Sequence, residues 1–143
     1  MQALPHIYKV TAQGGDSEKV ILTSAGVPDL ETAAPAEFGG PGDRWSPETM
    51  LTGAIADCFV LTFRAIARAS RLEWKDLSCE VEATLDRVDK QTRFTAVAVR
   101  ATLLVPAGTR IESAERVLHK AEENCLITSS MNCPVTLECS VEN

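Results

Sequence analysis

The distribution of apolar residues predicts an α+β fold in the order strands, helix, strands, helix, strand. Three observations carry this reading. A long apolar helical stretch opens at Ser46-Pro47-Glu48, strict alternation runs through residues 77–86 and 135–141, and a second stretch with helical period covers residues 111–125.

The elements follow from local chemistry. Residues 7–11 and 19–24 are short β-like runs around Gln13-Gly14-Gly15-Asp16, which suits a tight turn, so a β-hairpin is expected. Residues 25–45 carry Pro28, Pro35, Pro41 and the glycines of Phe38-Gly39-Gly40-Pro41-Gly42, breakers that predict one long loop without helix or strand. Ser46 can cap the first helix, Pro47 suits its first position, and Glu48 sits at the positive end of its dipole. Apolar residues then recur through Leu51, Ala54, Ile55, Cys58, Phe59, Leu61, Phe63 and Ile66, which predicts a central helix covered on most sides. Arg64, Arg68 and Arg71 place cations near its negative end.

Downstream, residues 77–86 and 94–105 read as two strands of an antiparallel meander, joined by the polar turn Asp89-Lys90-Gln91-Thr92 and ended by Pro106-Ala107-Gly108. Ile111, Ala114, Val117, Leu118, Ala121 and Cys125 mark the apolar face of the second helix. Residues 135–141, after Pro134, close the chain as a strand.

Bulk properties narrow the function. A chain of 143 residues makes one ordinary domain, 1–143, able to bury a core without disulfides or metal. With 14 basic and 20 acidic side chains the net charge is −6, which disfavours nucleic acid and anionic membrane as partners. No uninterrupted apolar run reaches the roughly 18 residues of a membrane span, and residues 1–10 do not read as a secretory signal, so a cytoplasmic protein is expected. Five cysteines are then expected as thiols. No C-x-x-C occurs and the two histidines are far apart, so neither a metal nor a cofactor is expected, and no hydrolase triad has support.

The thiols are the candidates for chemistry. Cys58 lies in the apolar helix, and a nucleophilic role would require a thiolate stabilised by a cation, a helix N-terminus or a strong donor. Thr62, one turn on, offers a hydroxyl, but no cation is in reach along the helix, so activation must come from another segment. Cys79 and Cys139 fall on the apolar sides of strands and read as core.

Ser46-Pro47-Glu48-Thr49-Met50-Leu51, continuing through Ala54-Ile55-Ala56-Asp57-Cys58-Phe59, together with Asn124-Cys125-Leu126-Ile127, resembles the OsmC/Ohr family over about residues 38–141. The resemblance implies antiparallel sheets around a long central helix and an intertwined homodimer. It also implies a peroxidatic role for Cys58, a resolving role for Cys125 and a site-organising role for Glu48. On one straight helix Glu48 and Cys58 would stand about 15 Å apart, so a shared site would draw Glu48 from the partner chain or need a bent helix. The family usually supplies an activating arginine from its N-terminal strands; residues 1–43 contain none, and Arg44 is the expected substitute. The implied activity is reduction of organic hydroperoxides through a Cys58/Cys125 pair restored by an external dithiol, with apolar substrate groups near Phe38, Phe59 and Phe63. The rival expectation is a non-catalytic dimer holding a small apolar ligand, with Cys58 a packed thiol.

Overall fold

The helix that opens at Ser46 is held at its start by a reciprocal cap. In the computed structural model, which describes residues 1–17 and 19–143, Ser46 Oγ accepts from the Thr49 N–H at 3.1 Å while Thr49 Oγ1 accepts from the Ser46 N–H at 2.8 Å. Pro47 then begins helix α1 (Pro47–Ala69). Its far end is closed by a Schellman arrangement: the Leu72 N–H donates to the Ala67 carbonyl and the Arg71 N–H to that of Arg68. This closure places Arg71 in the left-handed region, with φ of 55°.

The chain divides into two compact units, Met1–Leu51 and Thr52–Asn143, with α1 running unbroken from one into the other. The first unit holds a three-stranded antiparallel sheet in the order β1-β2-β3, made of β1 (Thr11–Gly14), β2 (Lys19–Thr23) and β3 (Leu30–Ala33). Two expectations are corrected here. The first hairpin strand begins at Thr11 and takes in Gln13 and Gly14, residues expected in the turn, because Gly14 pairs with Val20 and moves the reversal later. The expected loop of residues 25–45 contains β3, since the proline-free run Leu30-Glu31-Thr32-Ala33 is long enough to pair with β2 as an edge strand. Ala33 also donates its N–H to the Trp45 carbonyl at 3.1 Å. Gly40 is required beyond β3, because a side-chain carbon there would collide with the Ala34 carbonyl.

The second unit is built on β4 (Asp76–Val88), β5 (Gln91–Leu104) and β6 (Val135–Glu142). β4 and β5 form the expected antiparallel hairpin, but its turn shrinks to Asp89-Lys90, both with positive φ (52° and 66°), a two-residue turn whose twist matches the strands. Helix α2 (Ile111–Glu123) carries the chain back so that β6 pairs parallel to β5. The sheet is therefore mixed and not antiparallel throughout, since a helical crossover returns the strand in the same direction.

One face of this sheet is apolar. Val97, Val99, Ala101 and Leu103 of the central strand are fully buried, while their neighbours on β4 and β6 are half-buried because each has a partner strand on one side only. Ile55, Phe59, Phe63 and Ala67, one α1 stripe at four-residue spacing, join them together with Ala114, Val117, Leu118 and Ala121 of α2. Phe63 meets Trp74 edge-on, with ring centroids 5.2 Å apart. On the opposite face Arg100 bridges Glu80 at 3.0 Å, Glu82 at 3.7 Å and Glu138 at 3.7 Å, an exposed ladder across three strands.

The central helix is less covered within its own chain than its sequence suggests. Only the four-residue stripe is fully buried, and Leu61 is 51% exposed. By length and composition α1 would suffice to cross a membrane, although it contains no uninterrupted apolar run of that length.

Arg71→Gly should relieve the left-handed strain at the helix end. The unfolding free energy is expected to rise by about 0.5–1 kcal/mol, read as a higher urea midpoint with an unchanged slope; an unchanged or lower midpoint would show that the arginine side chain contributes more than the strain costs.

Candidate active site: a thiol pair at the end of helix α2

Because Ile55 and Phe59 point at the sheet, Cys58 falls on the flank of α1 and is half-buried. Thr62, one turn on, brings its hydroxyl to 3.9 Å from the Cys58 sulfur. The other neighbours come from the segment after α2. Asn124 caps that helix, its N–H reaching the Lys120 carbonyl at 3.1 Å and the next N–H, from Cys125, reaching that of Glu122 at 3.1 Å. The helix ends at Glu123, so Cys125 lies in the turn beyond it and not on the helix, 1% exposed.

This turn faces Cys58. Burial is the largest single influence on the Cys58 thiol and raises its pKa. Hydrogen bonds from the Ile127 backbone, the Cys125 side chain, the Thr62 hydroxyl and the Leu126 backbone act the other way and together outweigh it, so the pKa lies below that of an ordinary cysteine. The stabilising groups are neutral donors. The donors from outside the helix come from this turn, and Thr62 adds its hydroxyl from one turn along α1.

The other thiols contrast with it. Burial pushes Cys79 up to about 11, and the nearness of Cys125 adds to the rise. Burial and the Glu115 carboxylate raise Cys139, whose sulfur stands 3.9 Å from His119 Nε2, a neighbour that sequence spacing did not reveal. Cys79 and Cys139 flank Ala101 in one row of the sheet, on its apolar side as expected.

The remaining candidates stand in the N-terminal unit. Arg44 Nη1 is 2.7 Å from Asp43 Oδ1, and its Nε is 3.4 Å from Glu31 Oε2. Lys19, and then Arg44, hold the Glu31 carboxyl below its usual range. Arg44 also lines an open depression of about 380 Å³ with Gly42, Asp43, Trp45 and Thr49. Glu48 is half-buried in the first turn of α1. Of the three phenylalanines expected near substrate, Phe59 and Phe63 are core residues, because they belong to the stripe that faces the sheet, whereas Phe38 is exposed.

The backbone of Leu126 and Ile127 and the hydroxyls of Thr128 and Ser129 that follow were not among the residues expected at the site. A run of hydroxyl residues three to five positions after Cys125 was the available signal, since such side chains bond back to carbonyls three or four residues earlier.

Comparison with known proteins gives a consistent setting. Residues 40–140 match the family model described as OsmC-like protein. The uncharacterized protein YmaD of Bacillus subtilis is 27% identical over 142 residues, covering 96% of this chain and 95% of that protein. The crystal structure of an organic hydroperoxide resistance protein OsmC from Legionella pneumophila aligns with a TM-score of 0.76 at 28% identity, covering 99% of this chain and all of that one. An OsmC-like protein of unknown function from Vibrio cholerae aligns with a TM-score of 0.83 at 21% identity over 96% of this chain and 100% of the other, a likeness of fold.

Peptide-resolved alkylation by iodoacetamide across pH should separate the thiols. Cys58 is expected to react through a midpoint below that of an unperturbed cysteine, and Cys79 only as the pH approaches about 11. Thr62→Val, which removes one donor to the thiolate, should move the Cys58 midpoint upward; a Cys58 midpoint at or above that of an unfolded control would contradict this description of the turn.

Proposed function

Since the chain belongs to the OsmC-like protein family, we propose that it is a thiol-dependent peroxidase that reduces organic hydroperoxides through Cys58 and Cys125. The observation that carries the proposal is the Cys58 thiol, favoured as a thiolate and faced by the buried Cys125 on the same turn that supplies its backbone donors. Cys79 and Cys139 are pushed toward the unreactive thiol form. The name of the Legionella relative supports the substrate class.

The chemistry balances in two steps. The Cys58 thiolate attacks the distal oxygen of ROOH, the O–O bond breaks, and the alkoxide leaves as ROH after taking a proton; sulfur is oxidised to the sulfenic acid. The Cys125 sulfur then attacks the Cys58 sulfur, its proton leaves with the displaced hydroxide as water, and a disulfide forms. An external dithiol restores both thiols by exchange. Glu48 and Arg44 are assigned site-organising roles in this reading, Arg44 as the activating cation that complements the donors of the turn.

The protein is proposed to act as a homodimer. Within one chain α1 leaves Leu61 and other apolar positions outside the core, and a second copy is the simplest cover for them. Sedimentation at micromolar concentration should give twice the mass of the chain; a stable folded monomer would sink the dimer.

One equivalent of cumene hydroperoxide added to the reduced protein should consume two thiols and join the peptides carrying Cys58 and Cys125. Cys58→Ser should fall to the uncatalysed background, and Cys125→Ser should stall at a sulfenic acid open to further oxidation. A peptide map with Cys58 still reduced, or with Cys133 joined to Cys139, would favour instead an OsmC-like protein that holds a small apolar ligand without catalysis.

A further inference from the structure

The turn that faces Cys58 is itself held by an unusual concentration of hydrogen bonds on one atom. The Cys125 carbonyl accepts from the Ser129 N–H at 3.1 Å, from Ser129 Oγ at 2.8 Å and from Thr128 Oγ1 at 3.2 Å. A carbonyl has two lone pairs, so three donors saturate it and fix the plane of the peptide that joins Cys125 to Leu126. That same peptide carries the Leu126 N–H, and the next carries the Ile127 N–H. Both amides lie close enough to the Cys58 thiol to lower its pKa. Ser130 Oγ adds a bond to the Leu126 carbonyl at 3.0 Å, and the Ser130 N–H one to that of Ile127 at 3.1 Å.

We propose that Thr128 and Ser129 are positioning residues: by gripping the Cys125 carbonyl they hold the Leu126 and Ile127 amides, and the Cys125 thiol, against Cys58. The inference rests on Cys58 being the reactive thiol of the proposed function, and extends it to residues that touch neither sulfur. A backbone amide donates usefully only within a narrow range of angle, so a turn free to rotate its 125–126 peptide would lose the donors even while the chain stays folded. Of the groups that lower the Cys58 pKa, the two amides and the Thr62 hydroxyl keep their form at all accessible pH. On α1 the adjacent Asp57 is exposed. The Cys58 midpoint therefore responds to how the turn is held.

The test is peptide-resolved alkylation of Cys58 across pH in the reduced full-length protein, with no peroxide present. The double variant Thr128→Val, Ser129→Ala should shift the Cys58 midpoint upward by about one pH unit, equal to roughly ten-fold less thiolate at a fixed pH below the midpoint. Thr128→Ser, which keeps the hydroxyl, should behave as the wild type. Ser46→Ala, which weakens the protein by removing the α1 cap, should leave the midpoint in place and so separates positioning from general loss of stability. An unchanged midpoint in the folded double variant, or an equal shift in Ser46→Ala, overturns the proposal. Should the double variant fail to fold, Ser129→Ala alone is read, with a smaller upward shift expected and an unchanged midpoint again overturning it. Because no hydroperoxide is used, a wild-type protein inert to peroxide would defeat the proposed activity while the shift still stood, and an unshifted midpoint would defeat the positioning role with the peroxide chemistry intact.

Discussion

Burial of the Ile55, Phe59, Phe63 and Ala67 stripe against β5 is the constraint on which the second unit depends. An α-helix advances about 100° per residue, so once this stripe faces the sheet the direction of every other α1 side chain follows. Cys58 and Thr62, one position before Phe59 and Phe63, share a neighbouring row on the flank. The row is partly covered, which gives a thiol both access and a sheltered side. Moving the stripe by one residue would bury Cys58 in the core or turn it to solvent, and the thiol would lose its half-buried position.

Neutral donors can lower a thiol pKa without a cation. Burial alone would raise the Cys58 pKa, as it does for Cys79 and Cys139 in the same core. The difference is that Cys58 meets the turn beyond α2, whose Leu126 and Ile127 N–H groups lie outside any helix or strand ladder, whereas Cys79 and Cys139 sit in strands whose backbone is paired. The pKa shifts of the three thiols thus differ in sign with the groups each one meets. In the proposed mechanism this difference confines oxidation to the pair that can close a disulfide.

The α2 crossover connects this chemistry to the topology. By returning the chain for a parallel β5–β6 pairing, it lays α2 over the apolar face of the sheet and ends it beside α1. Ala114, Val117, Leu118 and Ala121 hold that helix in place, and the turn from Asn124 to Met131, closed by its own hydroxyl bonds, delivers Cys125 and its two following amides. Leu126, 75% exposed beside the thiol, stands where an apolar substituent of a substrate or a second chain could rest in the proposed function.

The amino-acid sequence by itself determined the elements whose signals are local. Ser46 and Pro47 define a helix start because capping needs only neighbouring residues, the alternation over residues 77–86 and 135–141 defines strands, and Cys58 and Cys125 are singled out by the resemblance of the motifs around them to the OsmC/Ohr family. It was less informative where pairing partners decide. Leu30–Ala33 became a strand because β2 offered an open edge, Gly14 because Val20 lay opposite, and β6 ran parallel because of the crossover before it. The site divides in the same way. Residue types marked the thiols, but only the tertiary structure brought the Leu126 and Ile127 amides to Cys58, since every residue carries the same N–H and nothing in a side chain announces where it will point.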